Sequence, residues 1–534
     1  MFIEYVYLIL IILAFVMIAN KLKIAFPIVL VMGGLLLSFT SLFTHVSIQP
    51  DFIFFLFLPP LLYEAAWQVS WKEFWKWRRI IASFAFPVVI ITACLIALIS
   101  VWIIPGFTLP LGFLLGGIIS PPDAVSATTI MRSVKVPRRL ITVIEGESLL
   151  NDASSLIIFR FALTTILTGL FDFQEAAVSF VLVVIMGIAT GLVVGILFYF
   201  FHQYLPTTPS IEIVLSLITP YCMYYFAERF HFSGVLAVVS GGLFLSNKRH
   251  LILTYQSRIQ GVTVWTNIVF VLNGLVFMLI GLQLPVITGQ LGEITIWSAI
   301  GYGLAVSAAL IVTRLLCAMG ASVFTVFMSR FIKVADPNPG WRLPVIVGWA
   351  GMRGVVSLAA ALSIPLLTME SQAFPYRNLI LFITFIVILV TLVFQGLTLP
   401  WVIDRIKPEE KDVSIPEEEQ EVIIQKKIAR HSIQFLEEKY GEQLNQNEHA
   451  YNLYSRFQTD LRFFETQEEE FEEGKKLSLS TFQQHYLQLL EAQRQLLKKM
   501  NNHPELDEEL IRKYMALIDM EELKLHEKGF KETD

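Results

Sequence analysis

The 534-residue chain is 55% hydrophobic and 13% aromatic but only 16% charged, against about 25% charged in an ordinary soluble domain. A mean hydropathy of +0.63 excludes a water-soluble protein over most of this length, and the solvent that fits is a bilayer. The net charge of −5 hides two opposite parts: residues 1–407 carry 23 basic and 16 acidic side chains, residues 408–534 carry 17 and 29. The break at Lys407-Pro408 predicts a membrane domain over 1–407 and an acidic, water-soluble tail over 408–534. Cys94, Cys222 and Cys317 all lie in apolar stretches, so neither a disulfide framework nor a metal-ligand spacing is present.

A spanning helix needs about 20 apolar residues. Thirteen stretches qualify: 2–20, 24–43, 51–69, 80–104, 109–130, 138–170, 176–201, 210–229, 232–246, 262–284, 294–330, 342–368 and 377–403. The chain is apolar from Met1 with no basic region before it, so the first stretch reads as a span and not as a cleaved signal. The loops after the odd-numbered spans, with the exit of the last, hold 18 basic residues, among them Lys76, Arg132, Lys135, Arg249, Lys333 and Lys407. The even loops hold only Arg229 and Arg377. Positive charge collects on the cytoplasmic side, which places the N-terminus outside and the tail inside. The tail reads as helical, with Leu487, Leu490, Leu496 and Leu497 near helical spacing, but without the heptads of a long coiled coil.

Nine charges remain inside the apolar stretches: Glu64, Asp123, Glu145, Glu147, Asp152, Arg160, Glu212, Arg314 and Arg353. A charge at mid-bilayer costs at least a few kcal/mol and is usually functional. So many polar groups at depth predict a water-accessible pathway for something charged. In ISPPDAVSATT (119–129), Pro121 and Pro122 remove two backbone donors and force the preceding residues out of the helix, so two half-helices should meet near Asp123. In IEGESLLNDASSLIIFRF (144–161), Ser148 and Asp152 share a helix face, with Glu147 and Asn151 beside it; these oxygens are hard ligands that suit small cations. In GWAGMRGVVSLAAALSIP (348–365), glycines bracket Arg353, a fixed counter-charge that cannot carry a proton. Spans 5 and 12 are the interrupted ones, each fifth in a six-span block and begun from opposite sides, which is the mark of an inverted repeat with its ion site at the midplane.

LPPLLYEAAW (58–67), GGIISPPDAVSATTI (116–130), EGESLLNDASS (145–155), YYFAERFHFSGVLAVVSGGLFLS (224–246) and GWAGMRGVVS (348–357) together resemble the monovalent cation:proton antiporter family, which holds bacterial sodium/proton antiporters and animal sodium/proton exchangers. The likeness covers about residues 1–405, and DMEEL (519–523) resembles the C-terminal helical segment of bacterial members. It implies an all-α polytopic membrane protein of about thirteen spans, with broken helices 5 and 12 and a helical cytoplasmic tail, in the cell membrane and as a homodimer. It implies Na⁺/H⁺ exchange serving pH and sodium homeostasis, with no cofactor and no nucleic-acid partner. Asp152 resembles the carboxylate that binds cation or proton. Asp123 and Ser148 resemble additional cation ligands, with Glu64 a further candidate. Asn151 resembles the asparagine before the essential aspartate, a pairing that the family associates with electroneutral members. Glu147 resembles a structural glutamate paired to an arginine, with Arg314 favoured over Arg353. One departure stands out: where the family often has Thr-Asp-Pro, this chain has Pro122-Asp123-Ala124, which removes a threonine ligand and leaves the choice between Na⁺ and K⁺, or a broader set of alkali cations, open.

Physically, exchange needs only competition. Desolvation disfavours a bare carboxylate, so the aspartate is held either by a cation or by a proton, and alternating access carries the occupied site across. A cation channel is the rival, but it would need no obligatory titration. A membrane enzyme would need a nucleophile–base pair, a metal-binding His cluster or a phosphate loop at depth, and the sequence offers none.

Overall fold

The computed structural model describes residues 2–40, 50–131, 134, 136–169, 173–289, 291, 294–331, 336, 340–368, 372–408, 417–444, 447–472, 479–500 and 508–528. Arg132, Lys135 and Lys333, counted above among the loop charges, lie outside the described residues. The chain forms two compact units, Met1–Glu409 and Glu410–Asp534.

Among the described residues the first unit is built of helices, with one isolated antiparallel bridge between Leu367 and Ala373. It runs α1 (Phe2–Leu22), α2 (Phe26–Ser38), α3 (Pro50–Gln68), α4 (Trp71–Ser83), α5 (Val89–Ile103), α6 (Leu109–Ile119), α7 (Ala124–Met131), α8 (Arg138–Thr168), α9 (Phe173–Tyr204) and α10 (Pro209–Arg229). It continues with α11 (Gly234–Ile252), α12 (Tyr255–Leu282), α13 (Leu284–Gly289), α14 (Ile296–Met328), α15 (Arg342–Trp349), α16 (Val355–Leu362), α17 (Arg377–Val390) and α18 (Gly396–Ile406). Each predicted apolar stretch falls on one helix or on one interrupted pair. Among the described residues, eight helical stretches are long and apolar enough to cross a membrane, and Val6–Leu22 and Phe26–Ser38 are shorter apolar helices.

Two joints are π-helical: Phe84–Val88 links α4 to α5, and Thr391–Gln395 links α17 to α18. Pro87 explains the first, because it withholds an N–H from the ladder. The Ser154 hydroxyl of α8 donates to the Ala85 carbonyl in that turn at 2.5 Å. Small residues then let helices approach backbone to backbone. A Cβ at Gly112 of α6 would sit 2.7 Å from the Ala97 carbonyl oxygen of α5, and one at Gly116 would sit 2.5 Å from that of Ala93. This contact seats the interrupted stretch α6–α7 between α5 and α8.

The second unit contains α19 (Glu417–Leu444), α20 (Glu448–Glu472), α21 (Leu479–Met500) and α22 (Glu508–Lys528). α19 packs on α20 and α21 on α22. Val422, Ala429, Leu490 and Ile511 are buried between them. Of the leucines singled out by spacing, Leu490 is buried and Leu496 is exposed.

Candidate ion-binding site

The two interruptions meet. The backbone N–H of Asp123, between α6 and α7, donates to the Met352 carbonyl between α15 and α16 at 2.7 Å. Breaking a helix leaves orphan carbonyls on one side and orphan amides on the other, and named side chains satisfy both. Arg353 donates from Nε to the Ile119 carbonyl at 2.8 Å and from Nη2 to that of Ser120 at 3.1 Å, at the C-terminal end of α6. Its Nη1 donates to the Gly351 carbonyl, and its own backbone N–H to Thr391 Oγ1 at 3.1 Å. On the other side, the Asp123 carboxylate caps α7, accepting from the Val125 and Ser126 amides and from Ser126 Oγ at 2.7 Å. A side chain at position 354 would occupy the place of that carboxylate, with a Cβ 2.8 Å from Asp123 Oδ2, which accounts for Gly354.

α8 supplies the third wall of the break. Ser148 and Asn151 lie one turn apart and both address it. Ser148 Oγ accepts from the Ala124 amide at 3.2 Å, and Asn151 Nδ2 donates to the Pro122 carbonyl at 3.0 Å. Asp152, next along α8, is buried at 6% exposure. It feels the charge of Asp123, yet among the described residues no hydrogen bond or ion pair holds its carboxylate.

One turn before Asn151, Glu147 turns the other way. Arg314 of α14 lies 2.5 Å from its Oε1 and donates to its Oε2 at 2.6 Å, and neither side chain is more than 3% exposed. Arg314 also stacks over the Phe84 ring at 5.4 Å. Arg353, the alternative partner from sequence, spends its guanidinium on carbonyls instead.

The break and α8, together with α2, α3, α12 and α16, line an open cavity of about 390 Å³. Four carboxylates line it, those of Glu64, Asp123, Glu145 and Asp152, together with Gln68, Ser148, Thr128, Thr129, Thr266 and Asn273. No Lys or Arg is among the lining residues. Glu64, on α3, accepts from Gln68 Nε2 and also lines an adjacent cavity of about 330 Å³ beside Tyr63, Trp67 and Trp265. The structure thus brings Asp152, Asp123, Ser148 and Glu64 to one cavity, with Asn151 bracing it, and puts the Glu147–Arg314 pair and Arg353 behind its walls.

Two charges read as intramembrane have other work. Glu212 lies in the first turn of α10, where it accepts from the amide and hydroxyl of Thr254 and from the Thr207 hydroxyl. Arg160 is 44% exposed and pairs with Glu228 of α10 at 2.5 Å, a partner that the sequence inventory missed because it stands near a helix end. Asn273 was missed too, since an inventory of charges passes over a neutral amide; its place in a long apolar run was the available signal.

A sodium/hydrogen exchanger transmembrane family model matches residues 7–405. The chain belongs to the sodium/hydrogen exchanger family. It is 30% identical over 428 residues to a sodium, potassium, lithium and rubidium/H⁺ antiporter of Bacillus pumilus, covering 78% of this chain and 63% of that protein. With the protein of the same description from Bacillus subtilis it shares 33% over 386 residues, 70% of this chain and 57% of the relative. It therefore spans less than two thirds of either Bacillus protein. An uncharacterized Na⁺/H⁺ exchanger of Escherichia coli is 31% identical over 443 residues, 80% of each chain. Among solved structures, a sodium proton antiporter of Methanocaldococcus jannaschii aligns with a TM-score of 0.57 at 17% identity, covering 76% of this chain and 99% of that one, which shows a shared fold.

Proposed function

We propose that this exchanger family member is a secondary antiporter that trades a monovalent alkali cation, Na⁺ in the first place, for a proton. The observation that carries the proposal is the cavity itself: four carboxylates with no basic side chain among its lining residues. The two nearby arginines are already committed, Arg314 to Glu147 and Arg353 to carbonyls. A buried carboxylate such as Asp152, for which no donor or cationic side chain is seen among the described residues, must be neutralised by a mobile cation or by a proton. Asp152, buried and held by no donor among the described residues, is the group on which the two compete; Ser148, Asp123 and Glu64 contribute further oxygens. A cation leaving Asp152 is replaced by a proton, so the site is not carried across both bare and charged.

The crossing of α6–α7 with α15–α16 supports an inverted-repeat arrangement in which the bundle around the breaks moves against the rest. The proposal includes a cell-membrane location, the N-terminus outside, the tail of 408–534 in the cytoplasm and the homodimer that the resemblance implies. A second reading, exchange of K⁺ and Rb⁺ as well, is favoured by the descriptions of the two Bacillus relatives and by Pro122 in place of a threonine. The test is dissipation of an imposed pH gradient in proteoliposomes, followed by a pH-sensitive dye, with Na⁺, Li⁺, K⁺ and Rb⁺ in turn. Dissipation with Na⁺ and Li⁺ alone supports the first reading and dissipation with all four the second. A cation conductance insensitive to the pH gradient would show a channel.

A further inference from the structure

We infer that Asn273 is a further specificity-determining residue, a neutral oxygen ligand on the α12 wall of the cavity that meets the cation held at Asp152; this rests on the antiport reading. Asn273 is 5% exposed, and its Oδ1, set in the cavity wall, has no hydrogen-bond partner among the described residues, so a turn of the amide can bring it to the cavity. It lines the cavity that holds Asp152, Asp123 and Ser148.

An unmade hydrogen bond on a buried amide oxygen is destabilising. The helix has no need of that cost: Val269 and Phe270, one turn earlier on α12, line the same cavity with apolar side chains. A leucine at 273 would remove the penalty and continue the apolar wall that Val269 and Phe270 begin. The amide is therefore better explained by what enters the cavity. An amide oxygen is a hard, uncharged ligand, suited to replace a water of an alkali cation without binding a proton in its stead.

The placement adds a second point. Asp152, Ser148 and Asn151 sit on α8 and Asn273 on α12, two helices that share α3 and α16 as neighbours. A cation bridging Asp152 and Asn273 would touch two different helices. Its radius then decides whether both oxygens are reached at once, so loss of the α12 oxygen should alter the ranking of ions as well as their affinity. A proton on Asp152 makes no such bridge.

The experiment measures cation KM and maximal rate for Na⁺, Li⁺, K⁺ and Rb⁺ in proteoliposomes at fixed pH, for the parent and for Asn273→Ala, Asn273→Leu and Asn273→Ser, with melting temperatures in detergent. Loss of one neutral contact worth about 1 kcal/mol raises KM by about fivefold. The Ala and Leu variants should show that rise for the preferred ion and a changed ratio of KM values between ions, with maximal rate held within about twofold. Ser, which retains an oxygen, should recover part of both. Unchanged KM values and ion ratios in Ala and Leu would overturn the inference, as would a loss confined to maximal rate and melting temperature, which marks a structural role. A parent that fails to dissipate the gradient with any of the four ions would sink the antiport reading first, and the inference with it.

Discussion

Glu147 and Arg314 lie 2.5 Å apart with at most 3% of either side chain exposed. Each belongs to a different stretch, α8 and α14, so the pair ties the helix that carries Asp152 to the bundle behind it. Removing one member of such a buried pair leaves an uncompensated charge and costs about 3–5 kcal/mol. Glu147→Ala should therefore lower the melting temperature in detergent by several degrees. Pairing it with Arg314→Met should restore part of the loss, because no lone charge is left. A double variant as unstable as the sum of both singles would contradict the pairing.

Asp123 combines two roles that one substitution can separate. Its carboxylate caps α7 through Val125 and Ser126, and it also lines the cavity. Loss of a helix cap costs about 1 kcal/mol, less than loss of a buried charge pair. Asp123→Ala should lower the melting temperature modestly and weaken exchange. Asp123→Ser preserves a capping oxygen without the charge, so it should recover stability while transport stays impaired. Equal transport in Asp123→Ser and the parent would remove Asp123 from the ion site.

Arg353 was legible as a fixed positive charge but not as a fork of donors. Its contacts to Ile119, Ser120 and Gly351 depend on planar, divergent N–H groups, which a lysine lacks. Arg353→Lys should thus retain the charge yet leave buried carbonyls unmet, at about 1–3 kcal/mol each. We expect a lower melting temperature and a strongly reduced exchange rate. Parent-like behaviour in both would mean that charge alone suffices.

The same residue shows where sequence reading stopped. Hydropathy marks apolar runs and Pro121-Pro122 marks a break, because both are local properties of the chain. The family resemblance and the Asn151-Asp152 pair then directed attention to α8. Which orphan carbonyl a guanidinium reaches is set by how two breaks cross, and no spacing within one stretch encodes that. The same holds for Glu147, whose choice of Arg314 over Arg353 depends on the rotation of α14. Glu212 could be listed as a charge but its capping contacts to Thr254 and Thr207 could not, and the Arg160–Glu228 pair joins two helices, so neither partner was legible from spacing within one stretch. Asn273 escaped because a neutral amide adds little to any charge inventory.

Asp152→Asn isolates the central claim. The amide has nearly the same shape but cannot release a proton, so competition between proton and cation disappears. Exchange should fall below about a tenth of the parent rate, as for loss of a required titrating group, while the protein still inserts and melts near the parent temperature. Sustained exchange in this variant would move the proton-carrying role to another carboxylate of the cavity.

The tail should modulate transport without performing it. Every cavity-lining residue precedes position 357, and the chain divides into its two units at Glu409–Glu410. A chain ended near Glu410 should exchange ions in proteoliposomes, with a changed pH profile at most. Complete inactivity of a correctly inserted truncation would make the tail part of the transport machinery.

Exchange should be electroneutral, one cation for one proton. The residue before Asp152 is Asn151, which cannot titrate and whose amide is committed to the Pro122 carbonyl. A second carboxylate there would let the site load two protons against one cation. Asp123 is the group that could supply that second proton, but protonation would compete with the three donors its oxygens already accept from Val125 and Ser126. With one group titrating, the proton-loaded and cation-loaded sites carry equal charge, and the membrane potential does no work on the cycle. The measurement is Na⁺-driven proton flux in liposomes at potentials set by K⁺ gradients and valinomycin. A stoichiometry of two protons would displace the equilibrium by about 2.3 kcal/mol per 100 mV for the one net charge moved, and an equilibrium that stays fixed across that range establishes one-for-one exchange.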